Sequence, residues 1–230
     1  MILEIDDLVI PVQESARRNT VQLTVERDCS LLLTTPPNVS TETLESFVRR
    51  KQPWVYRKLA EKELMQTAVR KKTFVQCEGF LYLGRHYRLN LVTEQAEPLK
   101  WRNGWFHLRR DARPNARQHF IQWYSERGKP WLWQRVKDFA SRLAVEPAGI
   151  RVQELGYRWG SCGKGALLYF HWKTMLLPAR IAEYVVVHEL VHLHEPNHSE
   201  AFWLRLERAM PDYETRKLWL AEHGMEVEGL

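Results

Sequence analysis

Tyr184-Val185-Val186-Val187-His188-Glu189-Leu190-Val191-His192 is the stretch on which the fold turns. The apolar run before the first histidine predicts a buried helix. Residues four apart in a helix stand one turn above each other, so His188 and His192 can point two imidazoles at one ion. Glu189 lies too far round the helix to join that pair, yet it can reach a water at the ion's open position, which makes it a general base and not a ligand. Two histidines and a glutamate entering a core without a partner would be costly to bury, and a metal supplies the partner. His-Glu-x-x-His is only three fixed residues and arises by accident on ordinary amphipathic helices, but the buried setting argues against accident here.

A catalytic zinc takes three protein ligands and leaves a fourth position to water. Pro196 is expected to end the helix, after which His198, six residues beyond His192, can fold back to complete a three-histidine site. Glu207 and Glu214 on the following helix are the rival third ligands, and His194 points away if the helix persists. His188, His192 and His198 around a Zn2+ ion, with Glu189 beside them, imply a zinc-dependent metallohydrolase. Three imidazoles would also accept cobalt, nickel or manganese.

Upstream, the glycines of Arg158-Trp159-Gly160-Ser161-Cys162-Gly163-Lys164-Gly165 predict a tight turn between strand-like segments 150–155 and 166–170. The second segment is expected to be an edge strand that pairs with an extended substrate, the alternative being a plain structural hairpin. Gly163-Lys164-Gly165 is too short for a phosphate-binding loop. Cys162 is expected as a packed thiol, with approach to the zinc as the alternative. Residues 114–127 and 130–143 read as two helices separated by Gly128 and Pro130, the second carrying the stripe Leu132, Val136, Phe139, Ala140 and Leu143. Residues 79–108 read as two or three short strands with turns at Gly84 and Asn103-Gly104.

Nearer the N-terminus, Val21, Leu23 and Val25 followed by Leu31-Leu32-Leu33 predict a hairpin ended by Pro36-Pro37. Ser40 offers an N-cap to a helix carrying Leu44, Phe47 and Val48, and Pro53 fits the first turn of a second helix reaching about Met65, with Trp54, Val55 and Leu59 inward. The stretch Thr67 to Lys72 reads as a connector. The expected class is α+β: an N-terminal β-rich region with helices over 1–112, then a zincin-like half over 113–230 in which a small sheet packs on the metal-binding helix.

At 230 residues, with 27 % charged and 44 % hydrophobic, the composition is that of an ordinary globular protein. Met1 to Asp7 is acidic where a secretory signal would be basic, and no run approaches the roughly 18 apolar residues of a membrane span, so a cytoplasmic protein without membrane contact is expected. Cys29, Cys77 and Cys162 are odd in number, widely spaced and without a Cys-x-x-Cys pair, so neither a cysteine zinc knuckle nor a disulfide framework is indicated, and free buried thiols are expected. The net charge of +6 is uneven: residues 101–137 hold nine Lys/Arg against two Asp/Glu, and residues 181–230 hold four against ten. The basic segment suits contact with nucleic acid, or is simply a solvated surface. Tryptophans 101, 105, 123, 131 and 133 would suit base stacking if exposed, and core packing otherwise.

Arg158-Trp159-Gly160-Ser161-Cys162, then Val185 to Leu193, then Asn197-His198-Ser199 and Phe202-Trp203, resemble the YgjP-like metallopeptidase family. Trp54 in a Lys/Arg-rich helical region and Pro211-Asp212-Tyr213 extend the likeness over most of the chain. The resemblance implies a zinc-dependent peptidase domain acting on a peptide or protein and distantly similar to SprT-like proteases. It carries His188, His192 and His198 to the metal positions and Glu189 to the catalytic one. His171-Trp172-Lys173 departs from it, because the family more often shows Asn before the Trp. A nucleic-acid-associated SprT-like protease using segment 101–137, and a non-catalytic metal-stabilised interaction module, are the alternatives. An additional oxyanion donor is expected from Tyr157, Arg158 or Tyr213.

Overall fold

The computed structural model describes residues 1–26, 29–65, 71–156, 158–227 and 229–230, with 60–65 as backbone only. The fold is mixed α+β, with three small sheets and five helices among the described residues. It divides into two compact units, Met1–Ala68 and Val69–Leu230, not at the expected 112/113 boundary. The division falls earlier because residues 79–109 build their core with the C-terminal helices. None of the described helices is long and apolar enough to cross a membrane.

In the first unit, strands β1 (Ile2–Ile5), β2 (Leu8–Glu14), β3 (Gln22–Val25) and β4 (Leu31–Thr35) form a sheet of order β1-β2-β4-β3. The expected hairpin is β3 and β4, paired antiparallel. Beyond it, β4 pairs in parallel with β2, which the sequence pattern did not reveal. Helix α1 (Thr41–Met65) starts at Ser40, whose Oγ accepts the Thr43 N–H at 3.3 Å. The two helices expected around Pro53 are one. Leu44, Val48 and Val55 lie buried on a single stripe that crosses the proline, and burial of that stripe outweighs the one hydrogen bond the ring removes.

The second unit opens with β5 (Gly79–Tyr82), β6 (Arg85–Val92), β7 (Leu99–Arg102) and β8 (Trp105–Arg109), four strands where two or three were expected, in the order β5-β6-β8-β7. Phe80, Leu89, Phe106 and Leu108 point to one face and meet Phe120, Trp123 and Tyr124 of helix α2 (Ala116–Leu143). The Tyr124 hydroxyl, buried on that helix, donates to the Leu81 carbonyl at 2.6 Å. Helix α2 also replaces two expected helices. Its buried residues Phe120, Tyr124, Gly128, Leu132, Val136 and Ala140 recur every fourth position, straight through Gly128 and Pro130. Gly128 is a contact and not a break: a Cβ there would stand 2.7 Å from Met175 Cγ. Pro130 sits on the exposed side, where water can satisfy the carbonyl that the ring leaves unbonded.

Strands β9 (Gly149–Gln153), β10 (Gly160–Cys162) and β11 (Leu167–His171) follow, in the order β10-β11-β9. The two strand-like segments are therefore not a hairpin but a parallel pair, β9 with β11, and the glycine-rich turn between them contributes a strand of its own. β11 is central and β10 is the edge, which corrects the expectation that 166–170 lies at the edge. A 3-10 turn (Trp172–Leu176) then leads to helices α3 (Ala179–Val191), α4 (Glu200–Ala209) and α5 (Tyr213–His223).

Gly84 fixes where α3 begins. Leu83 N–H and Gly84 N–H donate to the carbonyls of Met175 and Leu176 at 2.7 and 3.2 Å, pinning the β5–β6 turn to the chain entering α3. Gly84 has φ of +76°, and a Cβ on it would lie 2.7 Å from the Cα of Pro178. Gly84→Ala is expected to combine left-handed backbone strain with overpacking against backbone, at a cost of about 2–4 kcal/mol. Urea denaturation should show a lower midpoint at unchanged slope.

Candidate metal centre and catalytic cleft

Helix α3 is buried on nearly every side, with Val185, Val186, Val187, Leu190 and Val191 at 3 % exposure or less. Three successive β-branched residues favour helix weakly, so packing against its neighbours is what holds α3 in shape. It presents His188 and Glu189, and His192 caps its C-terminus. Helix geometry ends at Val191, five residues before Pro196. The chain then turns, and Ser199, whose Oγ accepts the Phe202 N–H at 3.4 Å, starts α4. The turn carries His198 back over the end of α3.

Ligand atoms of His188, His192 and His198 all lie within 4.8 Å of one another. Nε2 of His188 and Nε2 of His198 are 3.0 Å apart, and His192 Nδ1 lies 3.0 Å from the Glu195 carbonyl oxygen, which leaves the His192 Nε2 for the cluster. The Phe202 ring packs against all three imidazoles at centroid distances of 5.0, 4.7 and 4.7 Å. Trp203 stacks on His198, Tyr213 stacks on Trp203, and the Lys217 ammonium lies over the Trp203 ring at 4.1 Å. Phe202-Trp203 and Tyr213 are therefore a supporting wall for the histidines.

These residues fit a transition-metal ion. Two imidazole Nε2 atoms 3.0 Å apart are about as close as neighbouring ligands of one tetrahedral zinc, for which Zn–N of about 2.0–2.1 Å puts ligand atoms about 3.3 Å apart. Burial, with the neighbouring His192, His198 and Lys217, pushes the His188 pKa down to about 3, and burial likewise lowers His198. Both are thus neutral imidazoles, the form that binds metal. Glu207 and Glu214, the rival carboxylates, are not among the clustered groups. His194 turns its Nε2 to within 2.9 Å of the Leu143 carbonyl oxygen, away from the cluster.

Glu189 is 5 % exposed and seated against β10. A Cβ at Gly160 would stand 2.6 Å from Glu189 Cγ and 2.7 Å from its Oε1, so only glycine admits the carboxylate there. Burial raises the Glu189 pKa to about 8, against the charge of Arg158 and a hydrogen bond from the Cys162 N–H. The glycine in Arg158-Trp159-Gly160-Ser161-Cys162 belongs to the seat of the Glu189 carboxylate and is not merely a turn former. Nothing in the sequence signals this, since Gly160 and Glu189 are far apart in the chain.

Glu189 and the three histidines line a cleft of about 640 Å³ together with Arg158, Gly160, Cys162, Lys164 and Tyr184. Gly163 N–H donates to the Leu167 carbonyl and His171 N–H to the Trp159 carbonyl, both at 2.8 Å. Residues 159 and 163 thus turn their backbone groups toward β11, and strand alternation points those of Gly160 and Cys162 the other way, toward the cleft. Arg158 holds Ser161 Oγ at 3.2 Å and is exposed.

Of the three proposed oxyanion donors, Arg158 lines the cleft, Tyr213 is turned into the Trp203 stack with its hydroxyl on Glu214, and Tyr157 lies outside the described residues. Sequence inspection missed Tyr184, one helical turn before His188. Burial and the Glu189 charge raise its pKa to about 12, so it enters the cleft as a protonated donor. Its spacing of four from His188 was the available signal.

Cys162 is half-buried and its thiol pKa is raised by burial and by Glu189, which makes it a packed thiol. Cys29 is also half-buried, but Cys77 is exposed, contrary to the expectation of three buried thiols. His171 is buried with Trp172 against Glu154, which accepts from the Trp172 indole at 2.9 Å, so this departure from the family pattern falls in the core and not among the cleft residues. Trp101, Trp123, Trp131 and Trp133 pack in or against the core.

A family model for the YgjP-like metallopeptidase domain matches residues 19–223. No curated protein and no solved structure matches the chain.

Proposed function

The chain belongs to the YgjP-like metallopeptidase family, and on that premise we propose that it is a zinc-dependent peptidase of zincin-like build in which His188, His192 and His198 hold the metal and Glu189 is the general base. The observation that carries this reading is the convergence of three imidazoles and one buried carboxyl group on a single cleft beside an open strand edge. When bound, zinc would supply the Lewis acidity that polarises a peptide carbonyl and makes water nucleophilic near neutral pH. Glu189, in the ionised form that a cation held by the three histidines would favour against its burial, accepts the proton of the attacking water and delivers it to the leaving amine. The outward backbone groups of Gly160 and the Cys162 carbonyl, the Cys162 N–H being held by Glu189, align an extended substrate by strand addition. Tyr184 and Arg158 are the donors placed to stabilise the developing oxyanion.

Metal content and His198→Ala test the centre. Protein prepared without chelator or nickel resin is expected to carry about one zinc per chain, as a three-histidine catalytic site requires, and His198→Ala should lose it. Full retention by the variant would move the third ligand elsewhere, and absence of metal from both proteins would sink the hydrolase reading.

A further inference from the structure

Nine of the ten tryptophans pack in or against one of the two hydrophobic cores; Trp105 does not. It stands on β8, on the face of the second sheet opposite Phe106 and Leu108. The pairing register sets Arg88 of β6 beside it on one side and Arg102 of β7 on the other, so that one row across the sheet reads Arg88, Trp105, Arg102. The row next to it reads Asn90, His107, Lys100. Both arginines and Lys100 are exposed, and no outward position on these four strands is a carboxylate. Lys100 and Arg109 are matched by Glu97 and Asp111, whereas Arg88 and Arg102 have no carboxylate partner among the described residues.

We propose that this sheet face, centred on Trp105 between Arg88 and Arg102, binds single-stranded nucleic acid. An indole on a strand offers a flat surface on which a base can stack whatever its sequence. The two guanidiniums flank it at one strand spacing each, roughly 5 Å on either side, where phosphates of the same strand would pass. Asn90 and His107, hydrogen-bonded to each other at 3.3 Å in the neighbouring row, add polar groups beside the stacking surface. The combination favours nucleic acid over an acidic protein, because carboxylates would use the arginines and leave the central indole without a flat partner. A duplex keeps its bases stacked on one another and would not use Trp105 either. Of the basic segment 101–137, Arg102, Trp105, His107 and Arg109 belong to this face.

Fluorescence anisotropy with labelled oligothymidylate and oligouridylate of about 20 nucleotides, on the full chain, tests this face. Wild type should bind at low salt, with log affinity falling linearly against log salt. Arg88→Gln with Arg102→Gln should make that slope shallower by about 1.4, the share of two phosphate contacts on a single strand. Trp105→Ala should weaken binding on the order of tenfold, the worth of one stacked base. Arg151→Gln with Lys137→Gln, which removes two exposed cations elsewhere, should leave slope and affinity unchanged. All these side chains are exposed or half-exposed, so unfolding midpoints should stay near wild type, and chelation should not alter binding. Absence of binding, an unchanged slope in the arginine pair, indifference to Trp105→Ala, or equal affinity for polyglutamate would each overturn the assignment. Preference between the DNA and RNA probes would identify the source of the strand.

Discussion

Glu189→Gln is expected to lower peptide hydrolysis by about 10²–10⁴-fold while zinc content and fold stay as in wild type. The amide matches the carboxylate in shape, so it fits the seat that Gly160 leaves and still accepts from the Cys162 N–H. What it lacks is basicity. A glutamine cannot take a proton from water, and no other described carboxylate lines the cleft to replace it. Because an ionisable side chain buried at 5 % exposure becomes neutral, stability should not fall and is expected to rise slightly. Steady-state assays on a peptide library, with elemental analysis of the same preparations, check both halves. Activity within tenfold of wild type would take the general base away from Glu189; loss of zinc together with activity would make it a ligand.

Gly160→Ala should come close to the same defect by a purely steric route. The added methyl would meet Glu189 Cγ, Oε1 and Cδ at 2.6, 2.7 and 2.9 Å, so either the carboxylate or β10 has to move. Displacing a catalytic group by about 1 Å costs on the order of 100-fold in rate. The three histidines come from α3 and the α3–α4 turn and do not depend on β10, so zinc should be retained. A double-mutant cycle separates displacement from general damage. With Glu189 cut back to alanine there is space for the extra methyl, and Gly160→Ala should then cost little further in activity or stability. A cost as large as in wild type would show that Gly160 serves the strand and not the carboxylate.

The sequence was most informative where chemistry is local. His188, His192 and His198 span one helix end and one turn, and the structure brings together those three and leaves out His194, Glu207 and Glu214. The α+β class followed from the alternation of β-branched runs with helical stripes. Boundaries went wrong where a local breaker met a longer-range stripe: Pro53 and the Gly128/Pro130 pair each sit inside one helix, because the buried face continues across them. β10 was invisible for a different reason, since three residues of which one is glycine carry no measurable period. The seat of Glu189 likewise depends on a contact between segments that neither segment announces.

β10 is only three residues long, and just two of them, Gly160 and Cys162, turn backbone groups away from β11. A strand laid against it would find a short ruler. So few main-chain bonds tie an incoming chain loosely in register, allowing it to slide until a side chain finds a fit. Discrimination among substrates should therefore come from the side chains around the cleft, Arg158, Lys164 and Tyr184, and not from backbone pairing. The same brevity protects the protein from itself. An edge this short is a poor template for a second copy, so an open strand can be kept beside reactive groups with little risk of aggregation.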